Sequence, residues 1–219
     1  MNMKQYQQII FDLDGTLTDS KPGILNAAYY AFDKMRYEKP DFEKLNELIG
    51  IPLQDYFRQL SGMTENEIDD AVKHFRIYYG EKGVYENKVF PGIISLLMDL
   101  KNAGKDVYIS TAKYEKYARV MIEDLTIKDL ITDMVGADAG GIHASKSELT
   151  AKIIQRNNIT DLSRTIVIGD KYMDIQAGHD NMIDSIAVTY GFGSVIELES
   201  VKPTYLVSTV EELKKIVLP

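Results

Sequence analysis

Two aspartates one residue apart, Asp12 and Asp14, stand directly behind the apolar run Ile9-Ile10-Phe11 and directly ahead of Gly15-Thr16. Two nearby carboxylates repel and raise a pKa unless a cation lies between them. Ligands that are all oxygen favour a hard ion such as Mg²⁺, and Mg²⁺ commonly brings phosphate. Gly15 removes the Cβ where the chain must turn sharply or approach a ligand. Taken alone, Asp-Leu-Asp-Gly is also compatible with a plain turn between strands, so the reading depends on matching parts downstream. Gly169-Asp170 closes a second apolar run, Thr165 to Ile168, and Asp174 lies one helical turn further on. Lys146 lies within Ser145-Lys146-Ser147-Glu148, a capping box that opens a helix, where the axis dipole already favours anions. Thr111 adds a hydroxyl behind Val107-Tyr108-Ile109-Ser110. An acid pair, a hydroxyl, a lysine and a second acid pair form a site for Mg²⁺ and phosphate. There a carboxylate can be the nucleophile, because metal and lysine offset its repulsion from an anionic phosphoryl group.

These residues need a scaffold that brings them to one edge. From Lys88 onward, apolar strand-like runs alternate with helical patterns, which argues for a parallel sheet covered on both faces. Expected strands are Ile9–Phe11, Val107–Ile109 ending at Ser110-Thr111, a short one near Met134-Val135, Thr165–Ile168, Ser185–Val188 and Tyr205–Val207. Asp12, Thr111 and Asp170 then all end strands at the carboxyl edge, where open α/β sheets place their ligands. Residues 20 to 82 contain no convincing strand. Pro22 suits a first helical position, with Ile24, Ala27, Ala28 and Ala31 at helical spacing behind it. Further helices are expected over Asp41–Ile49 and Leu53–Leu60, and behind the capping box Thr64-Glu65-Asn66-Glu67, with Ile68, Ala71, Val72, Phe75 and Tyr79 on one apolar face. The expected fold class is α/β: a doubly wound, mostly parallel sheet built from 1–17 and 87–219, with a small α-helical domain, 18–86, inserted behind the first strand.

Composition narrows the partners. The 219 residues carry a formal charge of −8 and no basic block, which argues against nucleic acid, whose phosphate backbone needs clustered Lys and Arg. With no cysteine there is no disulfide, thiolate site or cysteine nucleophile. No apolar run reaches membrane-spanning length and the polar start lacks a signal-peptide core, so a cytoplasmic protein without membrane contact is expected.

Asp12-Leu13-Asp14-Gly15-Thr16, Thr111, Lys146 and Gly169-Asp170 with Asp174 resemble the four motifs of the haloacid dehalogenase (HAD) superfamily, in the correct order. The resemblance covers the whole chain. It is nearest the branch with a helical C1-type cap between motifs one and two, which includes phosphoglycolate phosphatases. It implies a Mg²⁺-dependent phosphatase acting on a small phosphorylated metabolite, with phosphoglycolate first, a nucleoside monophosphate second and pyrophosphate third. Asp12 would attack phosphorus and carry an aspartyl phosphate. Asp14 would protonate the leaving oxygen and then deprotonate water. Thr111 and Lys146 would grip the phosphoryl oxygens, with Gly15 and the Ala112 amide also at the phosphate. Asp12, the Asp14 carbonyl and Asp170 would bind Mg²⁺, with Asp174 a ligand through water or a partner of Lys146. The cap would set substrate choice, in a monomer or homodimer.

The motifs depart from the common pattern at two places. Ala112 follows Thr111 where many relatives carry Ser or Asn, and Lys171 follows Asp170. Ser110 adjoins Thr111 and competes for the hydroxyl role. Lys113 reads as an exposed lysine at a helix start or as one that approaches substrate. His74, His143 and His179 lack ligand spacing, and Arg58 and Arg76 read as solvated charges. A sugar phosphomutase of the same cap type is an enzymatic alternative. A signalling receiver domain shares the chemistry but places its phosphorylated Asp on a middle strand and has no insert behind the first.

Overall fold

Three consecutive side chains with no exposed surface, Ile9, Ile10 and Phe11, require cover on both faces of their strand, and such cover exists only inside a sheet. The computed structural model, which describes residues 4–47, 49–138 and 145–219, places them there. The elements in chain order are β1 Gln8–Phe11, β2 Thr18–Asp19, α1 Lys21–Met35, α2 Phe42–Glu47, α3 Leu53–Leu60, α4 Glu65–Glu81 and β3 Lys88–Val89. They continue with α5 Ile93–Asn102, β4 Asp106–Tyr114, α6 Glu115–Asp124, β5 Asp133–Ala137, α7 Lys146–Arg156 and β6 Thr165–Gly169. The last are α8 Tyr172–Asp180, β7 Asp184–Val188, α9 Val195–Ser200, β8 Tyr205–Val207 and α10 Val210–Val217. They divide into two compact units, one of residues up to Asp19 together with Val89–Pro219, the other Ser20–Lys88. These divisions fall after Asp19 and Lys88, where 17/18 and 86/87 were expected. Thr18 stays with the first unit because its amide and hydroxyl both donate to Leu13 O, at 2.9 and 3.1 Å.

The first unit is an α/β structure around a six-stranded parallel sheet, in the order β5-β4-β1-β6-β7-β8. Phe11 lies opposite Ile109 on one side and Ile168 on the other. This register brings the residues just beyond them, Asp12, Thr111 and Asp170, to one edge of the sheet. On one face Ile10, Tyr108, Val135 and Val167 pack with Leu149 and Ile153 of α7. Strand residues of the opposite phase, Ile9, Val107, Ile109, Ile166 and Ile168, are equally buried, and α5 and α6 contact β4. Each such fully buried aliphatic side chain contributes roughly 1.5–3 kcal/mol relative to exposure.

The second unit is helical. On α4 the expected face is the observed one: Ile68, Ala71, Val72, Phe75 and Tyr79 are all buried. Phe75 stacks on Tyr79 and meets Phe57 of α3 edge-on, and Phe57 packs on Phe32 of α1.

Several local expectations are corrected. Helix α1 starts at Lys21, so Pro22 is its second residue, and Leu25 is buried where Ile24 is only half-buried. The capping box expected at Thr64 is present at the start of α4, where Glu67 accepts from the Thr64 amide at 2.8 Å and from its hydroxyl at 2.7 Å. β4 does not end at Thr111 but runs to Tyr114, its register against β5 shifting between Thr111 and Tyr114. Helix α9, absent from the expected elements, is capped by Ser194, whose side chain accepts from the Glu197 amide. No helix among the described residues is long and apolar enough to cross a membrane.

Candidate active site

Asp12 is the first residue past β1, and its own amide still follows the sheet, donating to Ile168 O at 2.8 Å. Its carboxylate meets Lys146, which enters from the first turn of α7. Ser145 accepts from the Glu148 amide and Glu148 from the Ser145 amide, so the capping box fixes where that turn begins. Lys146 Nζ donates to Asp12 Oδ1 and, at 2.9 Å, pairs with Asp174 Oδ1. The other oxygen of Asp174 accepts from the Lys171 amide at 3.1 Å. Asp170 accepts from the Thr16 hydroxyl at 3.2 Å and from the Phe192 amide at 2.7 Å. Asp12, Asp170 and Asp174 are all buried and each brings an oxygen to within 4.8 Å of the others.

Gly15 makes this closeness possible. It sits at φ 86°, and a Cβ there would come within 2.3 Å of Asp170 Oδ2. A loop that the sequence did not single out closes over the same carboxylate. A Cβ on Gly191 would lie 2.4 Å from the Asp170 Cβ, and Tyr190 donates its hydroxyl to Thr16 O at 3.2 Å. Two glycines bracketing one residue just past a strand, Gly191-Phe192-Gly193, were the legible signal.

The second motif resolves cleanly. Ser110 shares a hydrogen bond of 3.1 Å with the Thr150 hydroxyl on α7, both buried, so Ser110 is engaged away from the role it competed for. Thr111 is buried and its Oγ1 accepts from the Lys113 amide at 3.2 Å, while Ala112 is exposed. Lys113 is not an exposed helix-start lysine. It lies inside the extended β4 and pairs with Asp14 Oδ2 at 2.6 Å. Lys171 precedes α8 and donates to Phe192 O at 3.4 Å. Elsewhere, His74 is half-buried against Tyr30, His179 is exposed, and His143 lies outside the described residues. Arg58 is half-exposed and pairs with Asp55 and Glu65, as solvated charges do.

Three buried carboxylates share one buried ammonium, so negative charge is in excess. Burial pushes Asp12 up from 3.8 to about 8, and the charges of Asp174 and Asp170 add to this against the pull of Lys146. Burial likewise pushes Asp170 up to about 7, with Asp174 adding and the Phe192 amide, Lys171 and Thr16 opposing. Burial alone would lower Lys146, but the Asp12 and Asp174 carboxylates outweigh it and hold the lysine above its ordinary value. The unfolded chain releases the two aspartate protons near pH 4, whereas the metal-free native state keeps them until about pH 7–8. Between those limits the native state binds more protons, so its stability falls as pH rises. The metal-free protein is therefore expected to melt at a higher temperature at pH 5.5 than at pH 8, and a saturating divalent cation is expected to remove most of that difference. Thermal denaturation with and without chelator reads this directly, and a metal-free protein that melts higher at pH 8 contradicts it.

The model of the haloacid dehalogenase-like hydrolases matches residues 9–188, which span all four motifs and the helical unit. The chain belongs to this family. It is a phosphatase of its phosphoglycolate phosphatase-like branch. A 5'-nucleotidase from Pseudomonas aeruginosa is 32% identical over 97% of this chain and 96% of its own length. A phosphoglycolate phosphatase from Agrobacterium fabrum is 26% identical over 87% of this chain and 84% of its own. Among solved structures, a predicted phosphatase from Clostridium acetobutylicum superposes with a TM-score of 0.90 at 34% identity, covering 98% of this chain and 99% of that one. Members of the family generally use a divalent metal, and the buried Asp12, Asp170 and Asp174 offer one an all-carboxylate set of oxygens.

Proposed function

We propose that this HAD phosphatase is a Mg²⁺-dependent phosphomonoesterase that works through an aspartyl phosphate on Asp12. The observation that carries the reading is the buried Lys146 ammonium set among three buried aspartates with converging oxygens. Asp12 attacks phosphorus as the leaving oxygen takes a proton from Asp14. Asp14 then takes a proton from the water that releases phosphate from Asp12. Thr111, Lys146 and the Ala112 amide hold the phosphoryl oxygens; Gly15 lines the site without donating, because its amide is committed to Thr18 O at 2.8 Å. An all-oxygen, anionic donor set suits a hard cation, and Asp12, Asp170 and the Asp14 carbonyl are the residues that would hold it. When bound, the ion would offset the repulsion between the Asp12 carboxylate and the phosphoryl group. Both Asp174 oxygens are already engaged, which favours a role in holding Lys146 over direct ligation.

For substrate, the greater likeness to a 5'-nucleotidase puts nucleoside monophosphates ahead of phosphoglycolate, reversing the order expected from the motifs. Leaving-group preference is assigned to the helical unit. The partner is thus a small metabolite, with neither nucleic acid nor membrane involved, and the enzyme is a monomer or homodimer. A panel of nucleoside monophosphates, phosphoglycolate, sugar phosphates and pyrophosphate, ranked by kcat/KM with Mg²⁺, tests this. Nucleoside monophosphates are expected to lead, at about 10⁴ M⁻¹s⁻¹ or more. A lead for phosphoglycolate overturns the order alone. Stoichiometric phosphorylation of the protein without turnover overturns the enzymatic reading.

A further inference from the structure

The extended end of β4 ties together two groups that the reaction needs. The Lys113 amide donates to the Thr111 hydroxyl at 3.2 Å, and the Lys113 ammonium bonds Asp14 Oδ2 at 2.6 Å. The two side chains of this ion pair are only 7% and 18% exposed, so water screens it weakly. The second oxygen, Asp14 Oδ1, is buried and has no hydrogen-bond partner among the described residues. Buried acceptors are nearly always paired, and an unpaired one in a site is where a reacting atom can be received.

We propose that Lys113 is a positioning residue for Asp14 and that the two Asp14 oxygens divide the work, Oδ2 held by Lys113 and Oδ1 moving the proton. The inference rests on the phosphatase reading and deepens it. In the first half-reaction the bond from phosphorus to the leaving oxygen breaks as the Asp12 oxygen bonds phosphorus, and the proton on Asp14 Oδ1 passes to the leaving oxygen. Asp14 is then a carboxylate facing the Lys113 ammonium through a charge-assisted bond that fixes its orientation. In the second half a water oxygen bonds phosphorus, the Asp12 oxygen leaves, and Oδ1 takes the water proton, restoring both residues. The backbone link to Thr111 keeps this carboxylate in register with the phosphoryl group.

The dependence on leaving group separates this role from others. A good leaving group needs no proton, whereas an alkoxide does. Lys113→Met and Lys113→Arg are compared with wild type on a series of phosphate monoesters, from p-nitrophenyl to simple alkyl, at saturating Mg²⁺. General acid–base help is worth about 10²–10⁴-fold, so Lys113→Met is expected to lose about tenfold in kcat on the aryl ester and about 10³-fold on the alkyl ester. Lys113→Arg, which keeps the charge, is expected to recover part of the alkyl activity. An equal loss on every ester, or a raised KM with unchanged kcat, overturns the proposal, the latter because it marks a lysine that only grips substrate. If Lys113→Met does not fold, Lys113→Arg carries the same test: its displaced charge should still cost more on alkyl than on aryl esters, and an even loss overturns it. Wild-type turnover of the aryl ester is the separate control, since its absence with Mg²⁺ defeats the phosphatase reading itself.

Discussion

Asp12→Asn is expected to lower kcat by about 10⁴-fold or more, on the scale seen when a nucleophile is removed, while the protein stays folded. The amide nearly matches the carboxylate in shape, so the packing behind β1 is kept. Its oxygen is a poor nucleophile, and with that oxygen turned to Lys146 the amide nitrogen, a donor, takes the place of the second carboxylate oxygen. Lys146 would not be stranded by the change, because Asp174 still accepts from it at 2.9 Å. The substitution also removes one of three buried carboxylates that repel each other. The metal-free variant is therefore expected to melt no lower than the metal-free wild type at pH 8, which separates loss of chemistry from loss of fold. Two measurements decide the matter: steady-state turnover, and trapping of the phosphorylated protein by rapid acid quench. Turnover within about tenfold of wild type, or an undiminished phosphoenzyme, would take the nucleophilic role away from Asp12.

The parts of this site that could be read in the sequence are those set by short-range patterns. β1, β6 and β7 are buried parallel strands, so each appears as an unbroken apolar run. Lys146 stands out because Ser145 and Glu148 form a cap around it. Asp170 stands out because it terminates an apolar run. The pairing of Lys113 with Asp14 is not legible, for the opposite reason. The two lie 99 residues apart, and the continuation of β4 past Thr111 is a shifted register against β5 with no apolar run to mark it. The paired glycines of Gly191-Phe192-Gly193 mark a turn, but not that Gly191 lets backbone approach the carboxylate of Asp170, because a close approach to another strand has no periodicity. Helix α9 is legible in its cap alone. Ser194-Val195-Ile196-Glu197 repeats the Ser-x-x-Glu pattern of Ser145, but only Leu198 is buried behind it, so no apolar face marks the helix.

Removal of divalent metal is expected to abolish turnover, with Mg²⁺ restoring it and Ca²⁺ restoring little. Mg²⁺ requires near-octahedral oxygens at about 2.0–2.1 Å, whereas Ca²⁺ takes more ligands at about 2.3–2.6 Å and would draw Asp12 away from an in-line approach to phosphorus. Two substitutions then sort the acids. Asp170 accepts from Thr16 and Phe192 and, among the described residues, is offset by no lysine as close as Lys146 is to Asp12 and Asp174. Asp170→Asn is therefore expected to raise the Mg²⁺ concentration for half-maximal activity by tenfold or more, in the range of ~10–100-fold found when groups supporting a metal are altered. Asp174 is committed at both oxygens, to Lys146 and to the Lys171 amide. Asp174→Asn is expected to loosen Lys146, with a raised KM and lowered kcat and a smaller change in Mg²⁺ requirement. Titrating activity against Mg²⁺ for both variants tells the roles apart. If the two requirements shift equally, Asp174 is a ligand of the same rank as Asp170, and if thorough chelation leaves turnover intact, the acids do not hold a catalytic metal at all.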